Sequence, residues 1–253
     1  MSARDKNDLI RTADEFYERT NSPNCVGAAD GKHVRMRKSK ESGSQFFNYK
    51  HFFSAVFMAV ADAGYCFISL EFGAYGSSNN SNVFKNMTFG KLLECNKLNI
   101  SDPRSMPSDA EELSTTFVLV GDEAFALSEH VLQPYPNKTL TYLKRICNYR
   151  LSRVRRVPEC TVGILVNRWR VFYRPIYVKP DFCGNIMKAC CVLHNYVWKY
   201  DGIHFDDTLY ECPLESVQPV GTRGSDRGIA VRKYFAKNFT SPQKPVSWQY
   251  GNM

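Results

Sequence analysis

The chain has 253 residues, 43% of them hydrophobic and 13% aromatic, which supports one large domain with a real core and argues against general disorder. Its 33 lysines and arginines exceed its 25 acidic residues, for a formal net charge of +8, which points to an anionic partner such as nucleic acid. Nine cysteines without a C-x-x-C pair, no apolar leader and no apolar run of membrane-spanning length argue against a disulfide framework and a membrane protein, leaving reduced thiols in an intracellular compartment.

From Asp8, the apolar positions Leu9, Ala13, Phe16 and Tyr17 recur at helical spacing, and Asn21-Ser22-Pro23 ends that helix. A strand is predicted from Cys25 to Arg37, then a polar connection from Lys38 to Tyr49. Phe52 to Ala63 and Tyr65 to Phe72 read as two more strands joined at Ala63-Gly64, so the first three strands form an antiparallel meander. A Gly/Ser/Asn segment, 73–81, leads into a helix starting near Val83 and reaching towards Leu93. Residues 95–116 read as a polar surface insertion. Phe117 to Val120 is wholly apolar, as expected for a strand buried on both faces, and stops at Gly121-Asp122.

After Pro134 and Pro136, a long amphipathic helical pattern runs from Lys138 to Trp169, with Pro158 expected to kink or restart it. Residues 170–179 look extended, and Phe182, Ile186, Cys190, Leu193 and Val197 mark another core-facing helix. The reading divides the chain into an N-terminal helix over 1–22, a domain over 23–200 and a tail over 201–253, with a docking helix at about 226–238.

Three carboxylates have settings suited to a site. Asp30 lies among small residues in Cys25-Val26-Gly27-Ala28-Ala29-Asp30-Gly31-Lys32-His33-Val34, where Gly31 lets a bulky partner approach the backbone. Taken alone, Asp30-Gly31 favours a turn. Asp122 at the end of a buried strand and Glu159 on a helix move the reading towards a site, because ligands gather at strand ends. Converging carboxylates suit Mg²⁺, which takes oxygen ligands together with water and substrate phosphate. Ten basic residues between Lys138 and Arg174 surround Glu159, the single carboxylate of that stretch. Such a one-sided stripe suits a polyanion better than a solvated face, which mixes both signs. Cys190, Cys191 and His194 do not suit zinc, since adjacent cysteines cannot share one helix side. His194 and Trp169 read as core residues.

Six motifs in order then resemble the PIF/Harbinger-type DDE transposases and the nucleases derived from them. They are Val26 to His33, Gly76 to Phe84, Val120-Gly121-Asp122, Leu151 to Arg156 followed by Glu159 and Gly163, Arg168-Trp169-Arg170 with Arg174-Pro175-Ile176, and Ala189 to Asn195. The resemblance implies an α/β, RNase H-like fold, a five-stranded mixed sheet flanked by helices. It implies that Asp30, Asp122 and Glu159 are catalytic and bind two divalent ions, Mg²⁺ or Mn²⁺, in a metal-dependent DNA endonuclease. His33 and Asn80 would be auxiliary, and Lys32, Arg150, Arg153, Arg155 and Arg156 would meet DNA. It implies nuclear localisation, with the cytoplasm as a further site, DNA as partner, a separate Myb/SANT-like DNA-binding protein, and no membrane or small-molecule cofactor.

Three departures qualify that picture. Asn80 stands where the family usually has aspartate, Pro158 directly precedes Glu159, and no helix-turn-helix region precedes Asp8. They keep open an alternative, a catalytically weakened DNA- or protein-binding module. Asn80 itself is open to two readings, a charge deficit beside the site or a simple cap of the following helix.

Overall fold

The computed structural model describes residues 6–38, 44–98, 103–107, 114–137, 140–201, 212–218 and 224–240. Its centre is strand β1 (Cys25–Arg35), buried along all but its last residue. β1 pairs antiparallel with β2 (Ser54–Ala61), which pairs antiparallel with β3 (Phe67–Tyr75). Every β2 residue is buried, which its apolar composition SAVFMAVA permits on both faces. A two-residue hairpin, β4 (Arg104–Ser105) with β5 (Ser114–Thr115), lies outside the main sheet. On the other side of β1 comes β6 (Val118–Val120), parallel to it, then β7 (Val131–Leu132), parallel to β6. The order is therefore β3-β2-β1-β6-β7, and β8 (Glu215–Ser216) adds an antiparallel pairing to Lys32 and His33 of β1.

Helix α1 (Lys6–Thr20) places Leu9, Ala13 and Phe16 inwards, as its periodicity predicts. Helices α2 (Asn80–Asn86) and α3 (Thr88–Glu94) cover one sheet face, where Val83, Phe84 and Phe89 pack with Ala29, Met58 and Val60. Helix α4 (Tyr142–Arg168) covers the other face: Val154 and Val157 pack with Ala28, and Val162 and Leu165 with Val34. Helices α5 (Pro180–Asp201) and α6 (Asp226–Phe239) complete that layer. Alternation along β1 therefore turns Ala28, Asp30, Lys32 and Val34 towards α4, and Ala29, Gly31 and His33 towards α2.

Several expectations change. The helix expected from about Val83 to Leu93 is two, broken at Met87, whose extended backbone (ψ 151°) cannot continue a helix. Pro158 neither ends nor restarts α4, which runs 27 residues through it; the missing N–H costs the Val154 carbonyl its helical partner, and the buried ring joins the inner face. Residues 170–173 form a 3-10 turn rather than extended chain. β7 carried too few residues to register as a strand. Within 95–116, the described parts supply the β4–β5 hairpin and the buried Met106 and Thr115. Beyond residue 200, β8 joins the central sheet and α6 buries Phe235 and Phe239 in the core. The start of the long helical pattern at Lys138 lies outside the described residues.

Candidate active site

β2 occupies one edge of β1 along residues 28–35, so β6 and β8 must share the other edge. β6 pairs as far as Ala28 and β8 begins at Lys32, leaving a gap beside Asp30. Asp122 stands just beyond the end of β6, and the parallel pairing of Ala28 with Val120 carries it level with Asp30. Asp30 is 8% exposed. Asp122 accepts the Ala124 N–H at 2.9 Å. Burial and then the neighbouring Asp30 push the Asp122 carboxyl above its usual range, against the opposing pull of the Ala124 N–H, Arg155 and Asn80. A buried carboxylate beside a half-buried one whose ionisation it disfavours forms a place for a cation.

Lys32 supplies one positive charge. Its Nζ lies 3.0 Å from Asp30 Oδ2 and donates to Ser216 Oγ at 2.8 Å. The contact with Asp30 is an ion pair whose angles miss those of a hydrogen bond, so Oδ2 has no hydrogen-bond partner. Burial opposes the lysine's charge, but Asp30, with Glu159 adding to it, raises the Lys32 pKa overall.

Asn80 closes the site from the α2 side. It is fully buried, and its side chain fills the space over Gly31, where a Cβ would lie 2.0 Å from Asn80 Oδ1. Its amide lowers the Asp122 pKa, yet neither Oδ1 nor Nδ2 completes a well-aligned hydrogen bond. The cap of α2 is instead Asn79, whose Oδ1 accepts the Asn82 N–H at 2.9 Å. Asn80 is therefore no cap.

The matched family decides what kind of chain carries this pair. Residues 29–195, from the residue before Asp30 to the end of the Ala189–Asn195 motif, match the family described as DDE superfamily endonuclease. The chain belongs to that family. It is 29% identical over 213 residues to a protein named "Protein ALP1-like" from Arabidopsis thaliana, covering 83% of this chain and 50% of that one. Proteins named "Putative nuclease HARBI1" are 27% identical over 185 residues in Mus musculus and 24% over 187 in Homo sapiens, each covering 72% of this chain and 48% of the relative. The chain spans about half the length of these curated relatives. No solved structure matches.

Within this DDE-family chain, the acids expected from sequence are not equally close. Asp30 and Asp122 interact electrostatically, while Glu159 is exposed on α4 and exerts its charge on Lys32 and Cys212. Among the described residues, no three His, Cys, Asp or Glu side chains stand close enough together to hold a metal ion. The Asp30–Asp122 pair still fits a hard cation: both are oxygen donors, and Asp30 Oδ2 and Asn80 Oδ1 are buried oxygens without hydrogen bonds.

His33 points to the opposite face from Asp30. Its Nδ1 meets Ser54 Oγ at 3.0 Å, and burial first, then Lys50, lower its pKa to about 4 against the pull of Glu215. It is a neutral buried residue on the other face of the sheet from Asp30. The expected basic stripe also divides, because at about 3.6 residues per turn its arginines point in different directions. Arg150 is 1% exposed, donates to the Asn21 carbonyl and packs over the Phe239 ring, so it serves the core. Arg155 faces Asp122, and Lys32 is bound to Asp30. Arg153 and Arg156 line a cleft with Arg19.

Ser216 and the electrostatic pull of Arg155 on Asp122 were not foreseen. Ser216 lies beyond the matched residues 29–195 and in a two-residue strand too short for a periodic signal. The i, i+4 spacing of Arg155 and Glu159 places both on one side of α4, which was the available signal. His194 is a core residue as expected: fully buried, bonded to the Tyr65 carbonyl at 2.9 Å and stacked on Trp198.

Proposed function

We propose that this chain is a metal-dependent DNA endonuclease of transposase descent, built on an RNase H-like fold. The observation that carries the reading is the pairing of buried Asp30 with half-buried Asp122, level with each other in a gap between two strands that share one edge of β1. The sheet order β3-β2-β1-β6-β7, with an antiparallel half and a parallel half, supports the fold. Asp30 and Asp122 would hold the first Mg²⁺ or Mn²⁺ ion beside the Asn80 oxygen, and Glu159 would serve a second. Such ions polarise the phosphodiester and lower the pKa of an attacking water.

The remaining roles belong to the chain itself. Lys32 holds Asp30 in place as its counter-ion, and Ser216 holds Lys32. Arg155 supplies positive potential at Asp122 and suits a scissile phosphate. DNA as substrate, nuclear action and a Myb/SANT-like partner belong to the same proposal. The second reading, a weakened DNA- or protein-binding module, is favoured by the neutral Asn80 and the distance of Glu159 from the pair.

Nicking of supercoiled DNA separates the two. The expected result is slow nicking, stronger in Mn²⁺ than Mg²⁺, lost in Asp30→Ala and Asp122→Ala and enhanced in Mg²⁺ by Asn80→Asp. Nicking that persists in both alanine variants would remove the site. Binding of DNA without any nicking by the wild type or Asn80→Asp would leave the binding module.

A further inference from the structure

We propose that the outer face of α5 is a self-complementary interface on which a second copy of this chain docks antiparallel. The pairing is independent of the nuclease reading. The inner face of α5, with Cys183, Met187 and Cys191, is buried in the core. The outer face carries Phe182, Ala189, Val192, Leu193, Tyr196 and Tyr200, all exposed. Phe182, Tyr196 and Tyr200 are 58%, 61% and 67% exposed. Five of the thirteen large hydrophobic side chains exposed among the described residues lie on this one helix, so the apolar surface is gathered rather than scattered.

The helix cannot turn these residues inwards. Asn195 pairs with both backbone groups of Phe67, accepting its N–H and donating to its carbonyl at 2.8 Å each. The Trp198 indole donates to the Gly64 carbonyl at 2.6 Å, and His194 is bonded to the Tyr65 carbonyl. Towards the other end, a Cβ at Gly184 would lie 3.1 Å from the Phe72 ring, so α5 rests closely on β3. These contacts fix the phase of α5 along its length and hold the outer stripe in water.

Spacing and charge identify the occupant. At about 100° per residue, Phe182, Ala189, Leu193, Tyr196 and Tyr200 fall in one stripe about 27 Å long. Asp181 at its start and Lys199 at its end are exposed and share one flank of it. A two-fold axis that lays α5 antiparallel on its copy brings that flank against itself in reverse, so Asp181 of each copy meets Lys199 of the other. That register sets the axis level with residue 190. It places Phe182 against Tyr196 and Tyr200 of the second copy, and Ala189 against its own equivalent. Large rings therefore meet at both ends and small side chains in the middle. The two helix dipoles also run in opposite directions.

The area suits such a pair. With roughly 150–250 Å² for each aromatic side chain, the stripe leaves on the order of 500 Å² of apolar surface in water, at the upper end of what a monomer shows. Two copies would bury about 1,000 Å² before the polar rim is counted, the size at which a specific interface begins.

Sedimentation equilibrium of the full chain over a range of concentrations tests the pairing. The mass should rise from one copy to two, whereas Tyr196→Glu should stay at one copy with its Tm at low concentration unchanged. Asp181→Lys and Lys199→Asp should each weaken association about tenfold, because like charges then meet at both ends, and the combined variant should recover to within about twofold of wild type. Ala189→Cys should form a disulfide-linked dimer on oxidation, above the background that the exposed native Cys95 gives in wild type. One copy at every concentration up to about 100 μM overturns the proposal; a Tm lowered by Tyr196→Glu in that case means that this chain covers the face itself. A dimer that neither Tyr196→Glu nor the charge reversals weaken forms elsewhere, and growth beyond two copies means that the contact does not close. Either result overturns the α5 pair.

Discussion

Gly31→Ala tests the contact that joins α2 to the acid-bearing strand. The backbone at Gly31 is ordinary, so space alone decides. An added Cβ would lie 2.0 Å from Asn80 Oδ1, 2.8 Å from its Cγ and 3.1 Å from its Nδ2. An exposed asparagine would rotate away at little cost, but Asn80 is 0% exposed and starts a helix whose Val83 and Phe84 are fixed in the core. Overpacking of this kind costs about 1–3 kcal/mol, a fall in Tm of roughly 2–4 °C for each kcal/mol in a domain of this size. Asn80→Ala should be nearly neutral, because lost packing is offset by removal of two buried polar atoms that make no hydrogen bond. In the double variant the two alanines share the vacated space, so most of the loss should return. Urea unfolding of the four proteins gives the coupling energy. A cost for Gly31→Ala that adds to that of Asn80→Ala within about 0.5 kcal/mol would refute the contact.

Two further expectations concern residues that the structure moves from the site to the framework. His33 has its pKa lowered from 6.5 to about 4, so the unfolded chain takes up the proton first as pH falls. The stabilisation is complete above about pH 6.5 and declines towards pH 4, by about 3 kcal/mol at roughly 1.36 kcal/mol per pKa unit; unfolding free energies across that range should fall less steeply in His33→Gln, and parallel curves would refute the burial argument. Arg150→Met removes a buried guanidinium bonded to the Asn21 carbonyl and seated 4.9 Å from the Phe239 ring centroid. It should cost about 2–4 kcal/mol of stability without changing the salt slope of DNA binding, whereas a flatter slope at unchanged stability would return Arg150 to the DNA surface.

The legible parts of the fold were those with long, regular patterns. The meander, α1 and α5 each carry several apolar residues in period, and the small residues around Asp30 correctly marked a close approach over Gly31. Which residue made that approach was less visible, because Asn80 lies 49 positions further along a polar segment and its burial depends on where α2 docks. Charge was only half legible for a related reason. The sign of a side chain is written in the sequence, but its direction is set by helix phase and neighbours, so Arg150, Arg153 and Arg155 belong respectively to the core, the cleft and the acid pair. Pro158 does not restart the helix because its local penalty is small beside the burial of the inner face around it: a 27-residue helix anchored by Val154, Val157, Val162 and Leu165 absorbs one missing hydrogen bond.

The acid pair depends on a sheet edge that is left incomplete. A continuous partner strand along β1 would bond the backbone at residues 29–31 and occupy the edge space beside Asp30. Here β6 ends with its pairing to Ala28, and β8, arriving from the far end of the chain in the opposite direction, begins at Lys32. The interruption admits Asp122 at the end of β6 and brings Ser216 onto Lys32. The same interruption explains why charges rather than apolar groups fill the space: backbone left unpaired by the missing strand needs polar company. The Val217 N–H, for example, reaches back to the Gly31 carbonyl at 3.2 Å. Displacing β8 would therefore release both the carbonyl of the residue after Asp30 and the hydroxyl that holds its counter-ion, coupling the 212–218 segment to the electrostatics of a site nearly two hundred residues earlier in the chain.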